Sequence, residues 1–238
     1  MVIFDEEAHT YTNPETGERY ISTTTLLGDY KNKFDTEGHA TRISKRDGVS
    51  KQFIIDEWEK TKDIACAKGT RIHKIMEDHI EGKPIPDGST KSQLILNEMY
   101  SSYDQLVKQC VPDRSHKDTY SEMILSLDKY KLAGMADIVY DCNKYFYIGD
   151  FKTNKAFKFT SQYDEFLLPP VDHLTSCEFN NYTLQLSIYA YMYEQETGKK
   201  CKGLIVYYLE GTTWRSIACN YLKSDVINIL ENYRLSTK

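Results

Sequence analysis

Residues 120–152 read YSEMILSLDKYKLAGMADIVYDCNKYFYIGDFK, and this stretch decides the predicted fold. It contains three strand-like runs, Tyr120–Leu127, Lys131–Tyr140 and Tyr145–Lys152, which short polar segments separate. Runs rich in aromatic and β-branched residues, broken by a few turn-forming residues, are typical of an antiparallel meander. We therefore predict three consecutive antiparallel strands.

The segments after the meander predict one long helix, two further strands and a closing helix. They cover about Phe179–Thr197, Lys202–Leu209, Thr213–Cys219 and Ser224–Arg234. The long helix stops at Gly198, a residue type that often ends helices. A helix between the meander and a further strand favours a mixed sheet covered by helices.

The segments before the meander predict a hairpin and then several helices. The hairpin pieces are Val2–Phe4, Thr10–Thr12 and Arg19–Ile21, and the helices cover about Ala40–Arg46, Ser50–Ala67, Thr70–Glu81 and Ser92–Val107. Phe53, Ile54, Trp58 and Ile64 recur at helical spacing, which predicts one apolar helix face. We expect Gly69 to separate the second of these helices from the third.

The element order predicts an α/β (α+β) fold with an αβββαβ core. In this fold a central mixed sheet is flanked by helices, and an N-terminal hairpin and helical region are added to it. We expect residues 1–68 to form this N-terminal region, packed on a core of residues 69–238. At 238 residues the chain suits one compact domain overall.

Composition excludes several classes of protein. The net charge is −5, and residues 1–30 carry six acids and one base, so the rest of the chain is neutral. A neutral body argues against a polycation that coats nucleic acid. No stretch approaches the roughly 18–20 apolar residues of a membrane span, and no signal pattern opens the sequence. We therefore expect a cytoplasmic protein without membrane contact.

Acidic residues recur along the predicted meander. Asp150 and Lys152 are two positions apart in one strand, so both side chains point to the same face. Asp137 lies in the adjacent strand and Glu122 in the strand before it. Neighbouring strands are about 4.8 Å apart, so these carboxylates could share a cation such as Mg²⁺ or Mn²⁺. An isolated D-x-K would more often be a surface ion pair, but three acids on successive strands favour a metal site.

Two helical pairs add further candidates. His73 and Glu77 are four residues apart, as are Gln185 and Tyr189, so each pair shares a helix face. His73 could bind a metal, a phosphate or the attacking water. Taken alone, each pair also fits a structural role, with Glu77 as a solvated or histidine-orienting acid and Tyr189 half-buried at a helix edge.

Two basic stretches suit nucleic acid. Residues 151–161 contain no acid and carry Lys152, Lys155 and Lys158 with Phe157 and Phe159. This combination predicts a strip for phosphate contact and base stacking. The other stretch contains Arg42, Lys45, Arg46 and Lys51, with Asp47 as its only acid. Either stretch could also be an ordinary solvated face.

The motifs, in this order, resemble the RecB-like exonuclease branch of the PD-(D/E)XK nuclease superfamily. The family's helix histidine falls on His73, its upstream acid on Glu122, its G-x-x-D aspartate on Asp137, its D-x-K pair on Asp150 and Lys152, and its Q-x-x-x-Y helix on Gln185 and Tyr189. The opening, with Phe4, His9, Tyr11 and 22–27 (STTTLL), is similar to exonucleases of phages and of mitochondrial genome maintenance.

The resemblance implies a restriction-endonuclease-like core and metal-dependent hydrolysis of DNA. It implies metal ligands at His73, Asp137, Asp150 and the Phe151 carbonyl, further catalytic roles for Glu122 and Lys152, and substrate contacts from Gln185, Tyr189, Lys155, Lys158, Arg71 and Thr70. The cofactor implied is Mg²⁺ or Mn²⁺. The six cysteines form no C-x-x-C pair, so we expect none of the iron–sulfur cluster that some relatives carry.

The function implied is a DNA exonuclease acting in recombination, repair or replication. Its partners would be single- or double-stranded DNA ends and a recombination or replication protein, in a bacterium or a phage-infected host cell. Two alternatives remain open, a structure-specific endonuclease of the same fold and a non-catalytic DNA-binding or partner protein that keeps the fold.

Overall fold

The computed structural model describes residues 1–85, 88–112, 118–161 and 163–236. Its strands form one eight-stranded mixed sheet, and helices flank it. The strands are β1 (Ile3–Asp5), β2 (Thr10–Thr12), β3 (Arg19–Ser22), β4 (Thr119–Leu127), β5 (Leu132–Cys142), β6 (Tyr145–Lys152), β7 (Lys200–Glu210) and β8 (Thr213–Cys219). The helices are α1 (Thr23–Gly28), α2 (Thr36–Asp47), α3 (Lys51–Ile80), α4 (Thr90–Cys110), α5 (Glu178–Thr197) and α6 (Lys223–Ser236).

The predicted meander is confirmed. β4 pairs antiparallel with β5 along most of its length, and β5 pairs antiparallel with β6, with Ile138 opposite Gly149. After β6 the chain passes through α5 and returns as β7, which lies parallel to β6. β8 then pairs antiparallel with β7. The mixed α/β class with helices around a central mixed sheet is therefore confirmed.

The N-terminal hairpin is part of the same sheet. β1, β2 and β3 pair antiparallel in turn, and β3 then pairs in parallel with β5 at Ile21–Leu132 and Ser22–Ala133. Ser22 caps the following α1, since its hydroxyl accepts a hydrogen bond from Thr25 N at 3.0 Å. Sequence patterning predicts the hairpin and the cap, but not the attachment to β5.

The predicted break at Gly69 is wrong, because α3 runs unbroken from Lys51 to Ile80. A single glycine inside a helix costs only about 1 kcal/mol relative to alanine. Tertiary packing of the C-terminal half, where Met76 is fully buried, offsets that cost. The predicted boundary between residues 68 and 69 falls inside this helix.

The predicted apolar face in the N-terminal half of α3 is also wrong in part. Ile54 is buried, but Phe53 is 56% exposed and Ile64 is 63% exposed. Every residue from Glu59 to Lys68 is exposed. This part of α3 is exposed on all sides, so no hydrophobic stripe packs it against the core. Its position therefore depends on the packing of the two ends of the helix. Periodicity alone does not show this.

The hydrophobic core lies on both faces of the sheet. On one face α1, α5 and α6 contribute buried side chains such as Leu26, Leu186 and Ile229. On the other face α3 and α4 contribute Met76 and Tyr103. None of the helices in the described residues is both long enough and apolar enough to cross a lipid bilayer.

Candidate metal centre

The two aspartates of the meander meet where β5 and β6 run side by side. Asp137 Oδ2 accepts a hydrogen bond from Phe151 N at 2.6 Å, so the Asp137 carboxylate reaches across to the β6 backbone. Asp150 is 1% exposed. Both carboxylates are therefore held by the sheet itself rather than by a loop.

α3 brings a histidine to this point. His73 Nε2 lies 3.0 Å from the Phe151 carbonyl oxygen, and His73 Nδ1 lies 3.5 Å from Asp137 Oδ2 and 3.9 Å from Glu122 Oε1. His73, Glu122 and Asp137 offer one ligand atom each, and these atoms all lie within 4.8 Å of one another. Two ligands that each lie about 2.1 Å from a shared ion stand at most about 4.2 Å apart. The separations of 3.5 and 3.9 Å from His73 Nδ1 fall within this limit, so these atoms could approach a small divalent cation together.

Glu122 has an unusual backbone. It lies in β4 with φ +46°, between the pairs Ser121–Ile138 and Met123–Ala136, and therefore opposite Asp137. A positive φ for a residue with a side chain costs about 1–3 kcal/mol and persists only where the surroundings enforce it. Regular strand pairs resume on both sides, so the irregular backbone is confined to Glu122, whose carboxylate lies beside Asp137 and His73.

The centre carries more negative charge than its own cations balance. Burial raises the pKa of Glu122 to about 8, and the charges of Asp137, Glu77 and Asp150 add to the rise. Glu77 accepts a hydrogen bond from Lys74 at 2.9 Å, so it is an acid at the rim of the centre. A buried group of mutually repelling carboxylates is the environment that a divalent cation stabilises.

Asp150 and Lys152 form a buried ion pair through Asp150 Oδ2. No donor in the described part of the chain is aligned on that oxygen in hydrogen-bond geometry. Burial raises the pKa of Asp150 to about 6, against the lowering effect of Lys152 and with Asp137 adding to the rise. Burial acts to lower the pKa of Lys152, but the charges of Asp150 and Asp137 outweigh it and raise that pKa.

α5 supports Asp150 from the other side. Gln185 Nε2 lies 3.4 Å from Asp150 Oδ1 and 3.1 Å from the Tyr189 hydroxyl. Tyr189 is 3% exposed, and burial raises its pKa well above the ordinary value. In this structure Gln185 therefore contacts the Asp150 carboxylate and Tyr189 contacts Gln185, and the substrate contacts predicted for both residues stay a prediction.

Gly134, in the G-x-x-D motif, makes room for this support. A Cβ at this position would lie 2.5 Å from Tyr189 Cε1 and 2.7 Å from Thr23 Oγ1. Thr23 Oγ1 in turn donates a hydrogen bond to the Ala133 carbonyl at 3.2 Å. Only glycine allows α1, β5 and α5 to approach this closely, which gives the motif's glycine a packing reason.

The remaining predicted residues lie at the surface. Thr70 and Arg71 are exposed on α3, three and two residues before His73, and Lys155 and Lys158 are exposed on the loop after β6. The structure thus brings together His73, Glu122, Asp137, Asp150, Lys152, Gln185 and Tyr189, and leaves the four exposed residues at the surface.

Two tyrosines lie near the centre although the sequence analysis does not place them there. Lys152 Nζ lies over the Tyr182 ring, 4.7 Å from its centroid. Tyr11, from β2, is buried, and burial and the charge of Glu122 raise its pKa to about 12. Tyr182 stands three positions before Gln185 on the same helix, a spacing that could have identified it. Nothing in the local pattern around Tyr11 indicates its position.

Comparisons with known proteins do not identify a family. No protein-family model matches the chain, and no curated protein matches it. A solved structure described as "Crystal structure of SSO0001" covers 91% of this chain and 87% of its own, with 13% identity and a TM-score of 0.34. A similarity this weak does not bear on function.

Proposed function

We propose that this chain is a Mg²⁺- or Mn²⁺-dependent deoxyribonuclease with a PD-(D/E)XK core, which hydrolyses phosphodiester bonds at DNA ends. One observation carries the proposal, the convergence of chemistry-bearing residues from four elements, three consecutive strands and a helix that lies well before them in the chain. These residues are His73 from α3, Glu122 from β4, Asp137 from β5, and Asp150 with Lys152 from β6.

The donor set suits a hard divalent cation. Carboxylate oxygens of Glu122 and Asp137 would hold it with the imidazole of His73, and the Phe151 carbonyl is 3.0 Å from that imidazole. When bound, such an ion polarises a phosphodiester and lowers the pKa of a coordinated water. Burial and the neighbouring carboxylates raise the pKa of Glu122, and a bound cation would offset both effects.

Lys152 would stabilise charge on the phosphate. In the metal-free centre the charges of Asp150 and Asp137 raise its pKa, which favours the ammonium form that this role requires. Asp150 and the Tyr182 ring fix its position next to the carboxylates. Fixed positive charge in a buried site lowers the barrier to phosphoryl transfer by neutralising charge in the transition state.

A second buried aspartate–lysine ion pair in the same sheet provides a control for substitutions at Asp150. Asp141 of β5 is also a buried aspartate paired with a lysine, Lys199, and it accepts a hydrogen bond from the Tyr193 hydroxyl at 2.8 Å. We expect Asp150→Asn to abolish metal-dependent degradation of labelled DNA. Asp141→Asn should leave the rate per folded molecule unchanged, although it removes a comparable ion pair.

The assay uses linear single-stranded, linear double-stranded and circular DNA, with Mg²⁺, Mn²⁺ or EDTA. Cleavage of linear but not circular DNA supports the exonuclease, whereas cleavage of circles favours the endonuclease alternative. If folded Asp150→Asn protein degrades DNA as fast as the parent, the site assignment is wrong. If the parent cleaves none of these substrates but binds them, the non-catalytic alternative holds.

A further inference from the structure

A series of aromatic rings leads from Lys152 to the surface. The Lys152 ammonium lies 4.7 Å from the centroid of the Tyr182 ring. The Tyr182 and Phe157 centroids are 5.7 Å apart, and the Phe157 and Phe159 centroids are 5.2 Å apart. Three rings therefore form a continuous contact path that begins at the D-x-K lysine.

The outermost ring is both exposed and held in place. Phe159 is 57% exposed. Its ring contacts Phe157 at an interplanar angle of 54° and Phe179, 5.3 Å away, at an angle of 37°. Phe157, by contrast, also packs against Tyr208 and lies partly in the core. Phe159 thus keeps an open surface on a ring that neighbouring side chains orient.

The segment that carries Phe159 is basic, although Lys158 lines a cavity together with Glu165 and Glu178 from neighbouring segments. Residues 151–161 contain no acid, and Lys155 and Lys158 are exposed beside the ring in sequence. Aromatic side chains combined with cations along one path are the means by which proteins bind single-stranded nucleic acid, since every base has a face that can stack. Bases in an intact duplex are already stacked, so this mode requires unpaired bases.

We propose that Phe159 stacks on an unpaired base of the DNA strand, a few nucleotides from the bond to be cleaved. This inference rests on the proposed nuclease function and specifies its substrate, a strand that is single-stranded at the site. Lys155 and Lys158 would contact its phosphates.

The test measures how tightly Phe159→Ala and Phe159→Trp bind labelled single-stranded oligonucleotides, by fluorescence anisotropy. One series is run in EDTA. A second series is run with Mg²⁺, with both substitutions made in the Asp150→Asn background. Loss of one base stack corresponds to about 5- to 150-fold weaker binding. We expect this loss for Phe159→Ala and recovery for Phe159→Trp. Tyr163→Ala is the control, because Tyr163 is a 75% exposed aromatic residue on the same loop, outside the ring series.

A scan with single abasic nucleotides locates the stacked base. At one position the abasic site should weaken binding by the parent but not by Phe159→Ala, because the stack is already absent in the variant. Equal binding and cleavage by Phe159→Ala and an active parent overturns the stacking inference alone. A parent that neither binds nor cleaves any DNA overturns the proposed function and this inference together.

Discussion

Substituting Gly134 by alanine tests the packing that supports the centre. The new methyl group would lie 2.5 Å from Tyr189 Cε1 and 2.7 Å from Thr23 Oγ1, whereas carbon atoms in contact are about 3.5–4.0 Å apart. Thr23 is 1% and Tyr189 is 3% exposed, so neither side chain can swing into solvent. The strand, α1 or α5 must shift instead.

The expected cost follows from overpacking in a close-packed core. Forced shifts of this kind destabilise proteins by about 1–3 kcal/mol. For a chain of this length, 1 kcal/mol corresponds to about 2–4 °C in Tm, so we expect Tm to fall by about 2–12 °C. Any displacement of Tyr189 also moves Gln185 away from Asp150, so nuclease activity should fall as well.

Thermal melts followed by circular dichroism, in EDTA, measure this effect. Gly28→Ala is the matched control, because a Cβ at Gly28 has no neighbour within 4 Å in the described residues. We expect that substitution to be neutral or to stabilise by up to about 1 kcal/mol. An unchanged Tm for Gly134→Ala would refute the close approach of Tyr189 to β5.

Two further predictions concern the carboxylates. The folded-state pKa of Glu122 is about 8, above its ordinary value near 4.5, so in the metal-free parent the contribution of Glu122 to stability is largest below about pH 4.5 and is lost as pH rises to 8. Glu122→Gln should make the free energy of unfolding less dependent on pH, by no more than about 3 kcal/mol at pH 7. Urea unfolding from pH 5 to 8 in EDTA measures this difference. Mg²⁺ or Mn²⁺ at about 100 times its Kd should stabilise the parent by about 2.7 kcal/mol. Asp137→Asn should lose most of this stabilisation, and an equal rise in Tm in both proteins would contradict Asp137 as a ligand.

The strands and the shared faces along them could be predicted because they depend on local order. Side chains alternate along a strand, so the positions of Asp150 and Lys152 on one face follow from their spacing. The short polar breaks place Asp137 in the neighbouring strand for the same reason. The hydrogen bond from Phe151 N to Asp137 shows how closely these strands meet.

In the helical region, local sequence patterns do not predict the structure correctly. Glycine has a poor helix propensity, and that small preference predicts a break at Gly69. α3 nevertheless continues, because the free energy of packing its C-terminal half on the sheet exceeds the cost of one glycine. This continuity delivers His73 to the Phe151 carbonyl, at a distance that no spacing in sequence could indicate.

By itself, the sequence determined the meander, the candidate carboxylates and the residue types that suit a divalent cation. Only the tertiary structure decided that β3 joins β5, that Glu122 adopts a positive φ opposite Asp137, and that Tyr189 packs over Gly134. These features join segments that are 50 or more residues apart in the chain, or place a residue in a backbone conformation that is costly by itself. The periodicity of the sequence indicates which face of a strand or helix a side chain occupies. Which other side chains contact that face depends on tertiary packing.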